Sequence, residues 1–384
     1  MKYQLLFKEF FNSEKAGGIL LLFATVISIF LANSFEGNAY VEFWRIYIGP
    51  LSIEHWINDG LMAVFFFLIG LELKREIYQG ELSSLKSASL PMFGALGGML
   101  VPASIFLFFN FGTPTQSGAG IPMATDIAFA IGILSLLGNK VPTSLKIFLT
   151  ALAVIDDLGA IIVIALFYTT SVSITNLLIA LAIFGLLVLL NRLKVNNLIP
   201  YLLGGLAMWY FMLNSGIHAT ITGVILAFTI PYGDGGKKTP SYFLQHLLHK
   251  PVAFFILPLF ALANTAMPIS ANWDEGLLSP NSLGVILGLF LGKPIGILIF
   301  ASIGVSLKLS SLPVDLKWKN IIGVGMLAGI GFTMSIFITQ LAFTDQQIIN
   351  DSKIAILIAS LFSGIAGLLF LKSTLKDKID PEIE

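Results

Sequence analysis

Apolar residues run along this chain in blocks of about 15 to 24, separated by short clusters of charge, glycine and proline. A run of that length crosses a ~30 Å hydrocarbon core as a helix. Twelve such segments are read: Gly17–Ala32, Ile57–Leu73, Leu90–Phe109, Ile121–Leu137, Leu145–Tyr168, Ile174–Leu190, Leu198–Leu213, Ile217–Ile230, Val252–Ala266, Leu283–Val305, Ile321–Leu341 and Ile354–Leu371. The segments beginning at Leu198, Ile217 and Val252 are short for a full span, so their flanks must extend them or their neighbours shield them. No solvated domain stands between segments, and residues 1–384 are expected to form one polytopic domain.

The cations test this count, because Lys and Arg gather on the cytoplasmic side. Every second connection is basic: Lys74, Arg75 and Lys86; Lys140 and Lys146; Arg192 and Lys194; Lys237, Lys238 and Lys250; Lys308, Lys317 and Lys319. Lys2, Lys8 and Lys15 at one end, and Lys372, Lys376 and Lys378 at the other, join the same face. That assigns 19 of the 22 Lys and Arg residues to one side, which one helix more or fewer would scramble. The reading is twelve helices with both termini cytoplasmic. Arg45 and Lys353 lie at or near the opposite side, and Lys293 lies inside a segment.

Composition narrows the class. Hydrophobic residues make up 56% and charged residues 11%, against the roughly 25% charged that a soluble domain needs. A net charge of zero argues against nucleic acid as a partner. The absence of cysteine removes disulfides, thiolate metal sites and cysteine nucleophiles. The first apolar run follows a long polar lead and precedes eleven others, so it reads as a retained helix rather than a cleaved signal.

Four charges fall where charge is costly. Asp156 and Asp157 have about eleven apolar-segment residues on either side, Lys293 is near the middle of its own run, and Asp126 follows Thr125 in the fourth segment. An ionised residue at a helix centre costs at least about 2.5 kcal/mol, so such residues face a polar interior and mark ion or proton pathways. A purely architectural pair is the plainer reading, but three carboxylates exceed what one lysine neutralises. Adjacent helical positions point about 100° apart. One aspartate is thus free to face a lysine while the other faces a wet cavity, where burial makes proton and cation compete for a carboxylate.

The fourth segment opens with Ser117-Gly118-Ala119-Gly120-Ile121-Pro122, and the eleventh holds Gly323, Gly325, Gly329 and Gly331 before Thr333. Irregular backbone at membrane depth survives only where protein or a wet cavity covers it. Gly- and Pro-interrupted segments in corresponding halves point to the site of an inverted-repeat transporter.

These residues resemble the bacterial NhaA-type Na+/H+ antiporters almost from end to end. The likeness is carried by Asn58-Asp59-Gly60-Leu61-Met62-Ala63, Gly70-Leu71-Glu72, Ala124-Thr125-Asp126-Ile127-Ala128-Phe129, Ala153-Val154-Ile155-Asp156-Asp157-Leu158-Gly159, Ser215-Gly216-Ile217-His218, Gly292-Lys293-Pro294 and Gly329-Ile330-Gly331-Phe332-Thr333. The resemblance implies an all-α polytopic membrane protein with inverted-topology repeats, whose interrupted fourth and eleventh helices cross. It implies electrogenic, pH-regulated exchange of Na+ or Li+ for H+ across a bacterial inner membrane, with no cofactor and with a homodimer as the assembly.

Asp157 would then be the main Na+ and H+ ligand, and Asp156 would pair with Lys293 or join the Na+ site. Thr125 and Asp126 would lie at the helix crossing, with Lys293 and Asp126 balancing helix dipoles there. Glu72, Arg75 and Glu76 would belong to a pH-responsive surface, and His218 to pH response or the dimer contact. Asp59 reads equally as a helix cap or a path residue. Where the family commonly has a glutamate before a histidine, this chain has Gln245-His246, leaving His246 and His249 as the titrating groups there. The rival readings are a proton-coupled transporter of another small solute and an intramembrane aspartyl protease. The Gly-x-Gly-Asp motif that the protease usually carries is missing.

Overall fold

The computed structural model describes residues 14–168, 172–269 and 273–375. Lys2, Lys8, Lys376 and Lys378, which carry much of the terminal charge bias, lie outside the described residues. The chain is an all-α polytopic membrane protein. In order, its helices are α1 (Glu14–Ala32), α2 (Gly37–Arg45), α3 (Ile53–Gln79), α4 (Leu85–Asn110), α5 (Ile127–Leu134), α6 (Thr143–Phe167), α7 (Ile174–Arg192), α8 (Ile199–Leu213), α9 (Ile221–Thr229), α10 (Pro240–Asn264), α11 (Trp273–Leu277), α12 (Pro280–Ser306), α13 (Trp318–Ala328), α14 (Phe332–Ala342) and α15 (Gln346–Thr374).

Helix occupies every predicted apolar segment, as it must where no water can satisfy the backbone. Eight described helical stretches are long and apolar enough to cross a membrane, or up to ten if each of two bent pairs counts as one span. α8 and α9, at 15 and 9 residues, fall below that length. The ninth segment begins at Pro240 rather than Val252, because the first turns of α10 carry Gln, His and Lys that an apolar reading passes over. The connection after α1 carries structure that the apolar segments do not signal. It holds the amphipathic α2, bent 115° from α1, and a two-residue hairpin pairing β1 (Tyr47–Ile48) with β2 (Leu51–Ser52).

The chain divides into two compact units. The first comprises Met1–Leu22, Ser84–Ala160 and Ser270–Glu384. Here α4 and α12 approach so closely that only glycine fits between them. A Cβ at Gly97 would overlap the Gly296 carbonyl, and one at Gly296 would overlap the Gly97 carbonyl. Gly284, Gly288 and Gly292 repeat this on α12 at four-residue spacing, against Phe106, Pro122 and Pro102. Small residues at that spacing bring helix backbones together in membranes. Residues Gly288–Gly292 form a π turn, two residues before Pro294. Proline has no N–H to donate backward, and the wider turn absorbs the defect. α10 repeats the pattern, with π residues Val252–Ile256 ahead of Pro258.

The second unit comprises Phe23–Ser83 and Ile161–Ile269. Its core gathers Phe67 and Leu71 of α3 around Leu187, Tyr201, Met208 and Leu226. Gly70 and Gly223 bring α3 against α9. Asn58 and the fully buried Asn264 exchange amide hydrogen bonds of 3.2 and 2.8 Å.

Candidate functional site

The first unit contains both interrupted spans. Residues Gln116–Met123 form a tight 3-10 stretch with Pro122 near its end; the backbone extends at Ala124 and α5 restarts at Ile127. α13 stops at Ala328, and α14 begins at Phe332 with its axis bent by 49°. The two breaks meet. The Asp126 N–H donates to the Ile330 carbonyl at 2.7 Å, and the Thr125 hydroxyl lies 2.9 Å from the Ala328 carbonyl. A break leaves N–H groups and carbonyls without helical partners, and each break here supplies partners to the other.

Asp126 caps two helix starts at once. Its Oδ1 accepts from the Phe129 N–H at 3.0 Å, while Oδ2 accepts from the Thr333 N–H at 3.2 Å and from the Thr333 hydroxyl. A carboxylate among N-terminal amides offsets the positive ends of α5 and α14. Lys293 does the converse at a C-terminal end, donating to the carbonyl of Met123, the last residue of the 3-10 stretch.

Fully buried, Lys293 also donates to Asp156 Oδ2 at 2.6 Å and to Thr125 Oγ1 at 3.0 Å. An ammonium has three N–H groups, and all three are placed. The Thr125 hydroxyl lies 2.8 Å from the same Asp156 Oδ2, so that oxygen is held by a cation and a hydroxyl together. Asp156 Oδ1 accepts no hydrogen bond among the described residues. It faces α4 at Gly98, where a Cβ would come within 3.8 Å. Asp157, the next residue on α6, is also fully buried and is turned about 100° from Asp156.

Comparison with known proteins gives the chain a family. The sequence profile of the family described as Na+/H+ antiporter 1 matches residues 8–371. The chain belongs to this family. Among similar Na+/H+ antiporters, one of Flavobacterium johnsoniae, named NhaA 1, is 68% identical over 97% of this chain and 98% of its own length. The NhaA of Flavobacterium psychrophilum is 64% identical over 99% of each chain, and that of Cytophaga hutchinsonii 60% identical over 100% of this chain and 99% of its own.

The remaining residues singled out in this family member lie in the second unit. Glu72 approaches His249 at 3.9 Å, Arg75 pairs with Glu76 at 2.9 Å, and Glu76 also accepts from the Glu81 N–H. His246 stacks on Tyr242 with ring centroids 3.8 Å apart, and Gln245 beside it is buried. His218 Nε2 lies 3.0 Å from the Tyr168 carbonyl. Asp59 is not the cap at the start of α3. Ser52 takes that role by accepting from the His55 N–H, and Asp59 falls in a π turn, Trp56–Leu61.

Lys74, which the charge pattern assigns to a basic connection, is a buried α3 residue. It donates to the Phe228 carbonyl at 3.0 Å and to that of Ile230, at the end of α9. Its place in a basic cluster hid this. Thr333, at the end of the glycine-rich motif, joins Asp126 to the second break.

Proposed function

We propose that this chain is a secondary active transporter, not an enzyme, that exchanges Na+ or Li+ for H+ across a bacterial inner membrane, with both termini cytoplasmic. Family membership supports Na+/H+ exchange. The observation that carries the reading furthest is the pair of adjacent, fully buried aspartates, of which Asp156 is ion-paired with Lys293 and bonded to Thr125 at the first interrupted span.

In this reading Asp157 is the group that sodium and proton share. A protonated carboxylate cannot ligate Na+, and Na+ on the carboxylate displaces the proton, so each cargo leaves as the other arrives. Asp156, fixed through Oδ2 by Lys293 and Thr125, offers Oδ1 as a further oxygen. Sodium takes such hard oxygen donors without a resident cofactor. Asp126, Lys293, Thr125 and Thr333 neutralise the broken ends, so that irregular backbone persists at membrane depth.

Twelve spans give the fold a simple symmetry. The first unit draws three spans from each half of the chain, α4 to α6 and α12 to α15. Corresponding spans are seven apart, an odd number, and so run in opposite directions as inverted repeats. The residues around Glu72, His246 and His249 form a pH-responsive surface, exchange is electrogenic, and the assembly is a homodimer. The deciding experiment imposes a proton gradient on proteoliposomes and adds Na+, Li+, K+ or choline in turn. Collapse of the gradient by Na+ and Li+ alone is expected; collapse by none of them refutes exchange, and equal collapse by K+ refutes the selectivity.

A further inference from the structure

Two polar groups of the first unit meet at the second break without bonding to each other. The first is the hydroxyl of Ser363 on α15. Ser363 is 1% exposed, and its oxygen has no hydrogen-bond partner among the described residues. Serine within a helix commonly bonds the carbonyl four residues back, as Ser104, Ser302 and Ser352 do here. Ser363 does not. Its oxygen lies instead across from Gly329, where a Cβ would come within 2.7 Å of it.

The second is the backbone carbonyl of Leu289, in the π turn of α12. The Lys293 N–H is drawn back to the Gly288 carbonyl, and residue 294, the next donor in line, is proline. Neither the regular four-residue bond nor the five-residue bond of the π turn therefore reaches Leu289. Its carbonyl also closes on Gly329, at 2.5 Å from where a Cβ would stand. A donor and an acceptor on two helices thus crowd one point, with only a glycine between them. We propose that Ser363 is a positioning residue of the transport cycle: its hydroxyl, unbonded in this conformation, bonds the Leu289 carbonyl in the opposite one. The inference rests on the exchange reading, since a carrier with alternating access populates a second arrangement around the same site.

Energy gives the device its direction. An unsatisfied buried hydroxyl penalises this conformation, and pairing it favours the other. Helix shifts of about 1–2 Å are ordinary in such transitions, and a shift of that size brings two crowded oxygens to the ~2.7 Å of an O–H···O bond. The link to the ions runs through Thr125. Its one hydroxyl proton faces two acceptors, Asp156 Oδ2 at 2.8 Å and the Ala328 carbonyl at 2.9 Å. A cation or proton arriving on Asp156 weakens that oxygen's claim and leaves the hydroxyl to Ala328, the residue before Gly329. On the other side of Gly329, the Ile330 carbonyl is held by the Asp126 N–H. Ser360, three residues before Ser363, accepts from the Phe332 N–H at 3.1 Å and so anchors the start of α14 to α15. The charge state of Asp156 is thereby passed to the glycine that separates Ser363 from Leu289.

The test is Ser363→Ala in the full-length protein, read by denaturant unfolding in micelles and by Na+/H+ exchange in proteoliposomes. Removing an unsatisfied hydroxyl should move the unfolding midpoint to higher denaturant. Losing the bond of the opposite conformation should lower the maximal exchange rate about fivefold, the worth of one ordinary hydrogen bond. A more stable but slower protein is therefore expected, whereas a merely structural serine would lose stability and rate together. Amide hydrogen exchange at residues 329–333 gives a reading that needs no transport: protection there should rise about fivefold as the opposite conformation becomes rarer. A wild-type protein that exchanges no ions would refute the proposed function, and the protection measurement alone would then decide this inference. The proposal is overturned if stability and rate fall together in Ser363→Ala. It is equally overturned if the variant matches wild type in both rate and protection.

Discussion

Lys293 and Asp156 allow a quantitative test of what holds the broken spans together. Lys293→Gln removes the ammonium 2.6 Å from Asp156 Oδ2 and leaves that carboxylate with the Thr125 hydroxyl. Both side chains are fully buried, so the stranded charge cannot reach solvent. Breaking such a pair from one side costs about 3–5 kcal/mol. Asp156→Asn strands the ammonium instead and should cost a similar amount. With both substitutions no net charge remains. The residual penalty then comes from the shorter glutamine losing the Met123 carbonyl, about 1–3 kcal/mol for an unsatisfied buried group. The double variant should therefore sit well above the sum of the singles, with a coupling of about 2 kcal/mol or more. Because heat unfolding of such proteins is commonly irreversible, the measurement is equilibrium unfolding by denaturant in micelles, on the four proteins of the cycle. Penalties that add to within about 0.5 kcal/mol would refute the pair as a structural unit.

Further expectations concern transport and packing. Asp157→Asn keeps the volume and removes the charge, so exchange in proteoliposomes should vanish while the protein still inserts; wild-type exchange would remove Asp157 from the mechanism. If sodium and proton share one carboxylate, the apparent KM for Na+ rises as pH falls, because the protonated form is closed to Na+; a KM flat with pH would indicate a separate proton path. Gly97→Ala forces α4 away from α12 at the Gly296 carbonyl, with an overpacking cost of about 1–3 kcal/mol and a loss of exchange, read by unfolding and gradient collapse together. Gln245→Glu adds a titrating charge beside His246 and near the Glu72–His249 contact, and should shift the midpoint of activity against pH. Replacing His246 and His249 with glutamine should flatten or displace that curve. If neither change moves it, competition at Asp157 alone sets the pH dependence.

The sequence made the hydrophobic segments and the costly charges legible, because a bilayer imposes length and forbids stray charge. Asp156, Lys293 and Asp126 stood out for that reason, and the two breaks stood out through their glycines and Pro122. Three-dimensional partners were less legible. That Lys293 also holds the Met123 carbonyl, and that Asp126 serves two helix starts, depends on where two breaks meet in space. Lys74 was hidden for the opposite reason: Arg75 and Lys86 nearby made it look like surface charge, whereas its long side chain turns inward to carbonyls. The π turns left a signal in Leu257-Pro258 and Lys293-Pro294, since a proline within an apolar run demands local rearrangement.

The glycine row on α12 has a consequence for how Lys293 is aimed. On a regular α-helix each residue turns about 100°, so a four-residue step overshoots a full turn by about 40°. Four glycines at that spacing would spiral away from α4 after two steps. The π turn at Gly288–Gly292 is wider, turns less per residue, and takes back part of the drift in mid-row. Gly284 and Gly296 therefore both face α4, although twelve residues separate them. The extra residue in that turn acts as a phase correction, and Lys293 is the first residue after it. Deleting one residue there would shorten the apolar run of α12 by a single position and leave its charges unchanged. It would also rotate the lysine about 100° relative to the preceding glycines, so the ammonium and the row that seats the helix could no longer both find their partners.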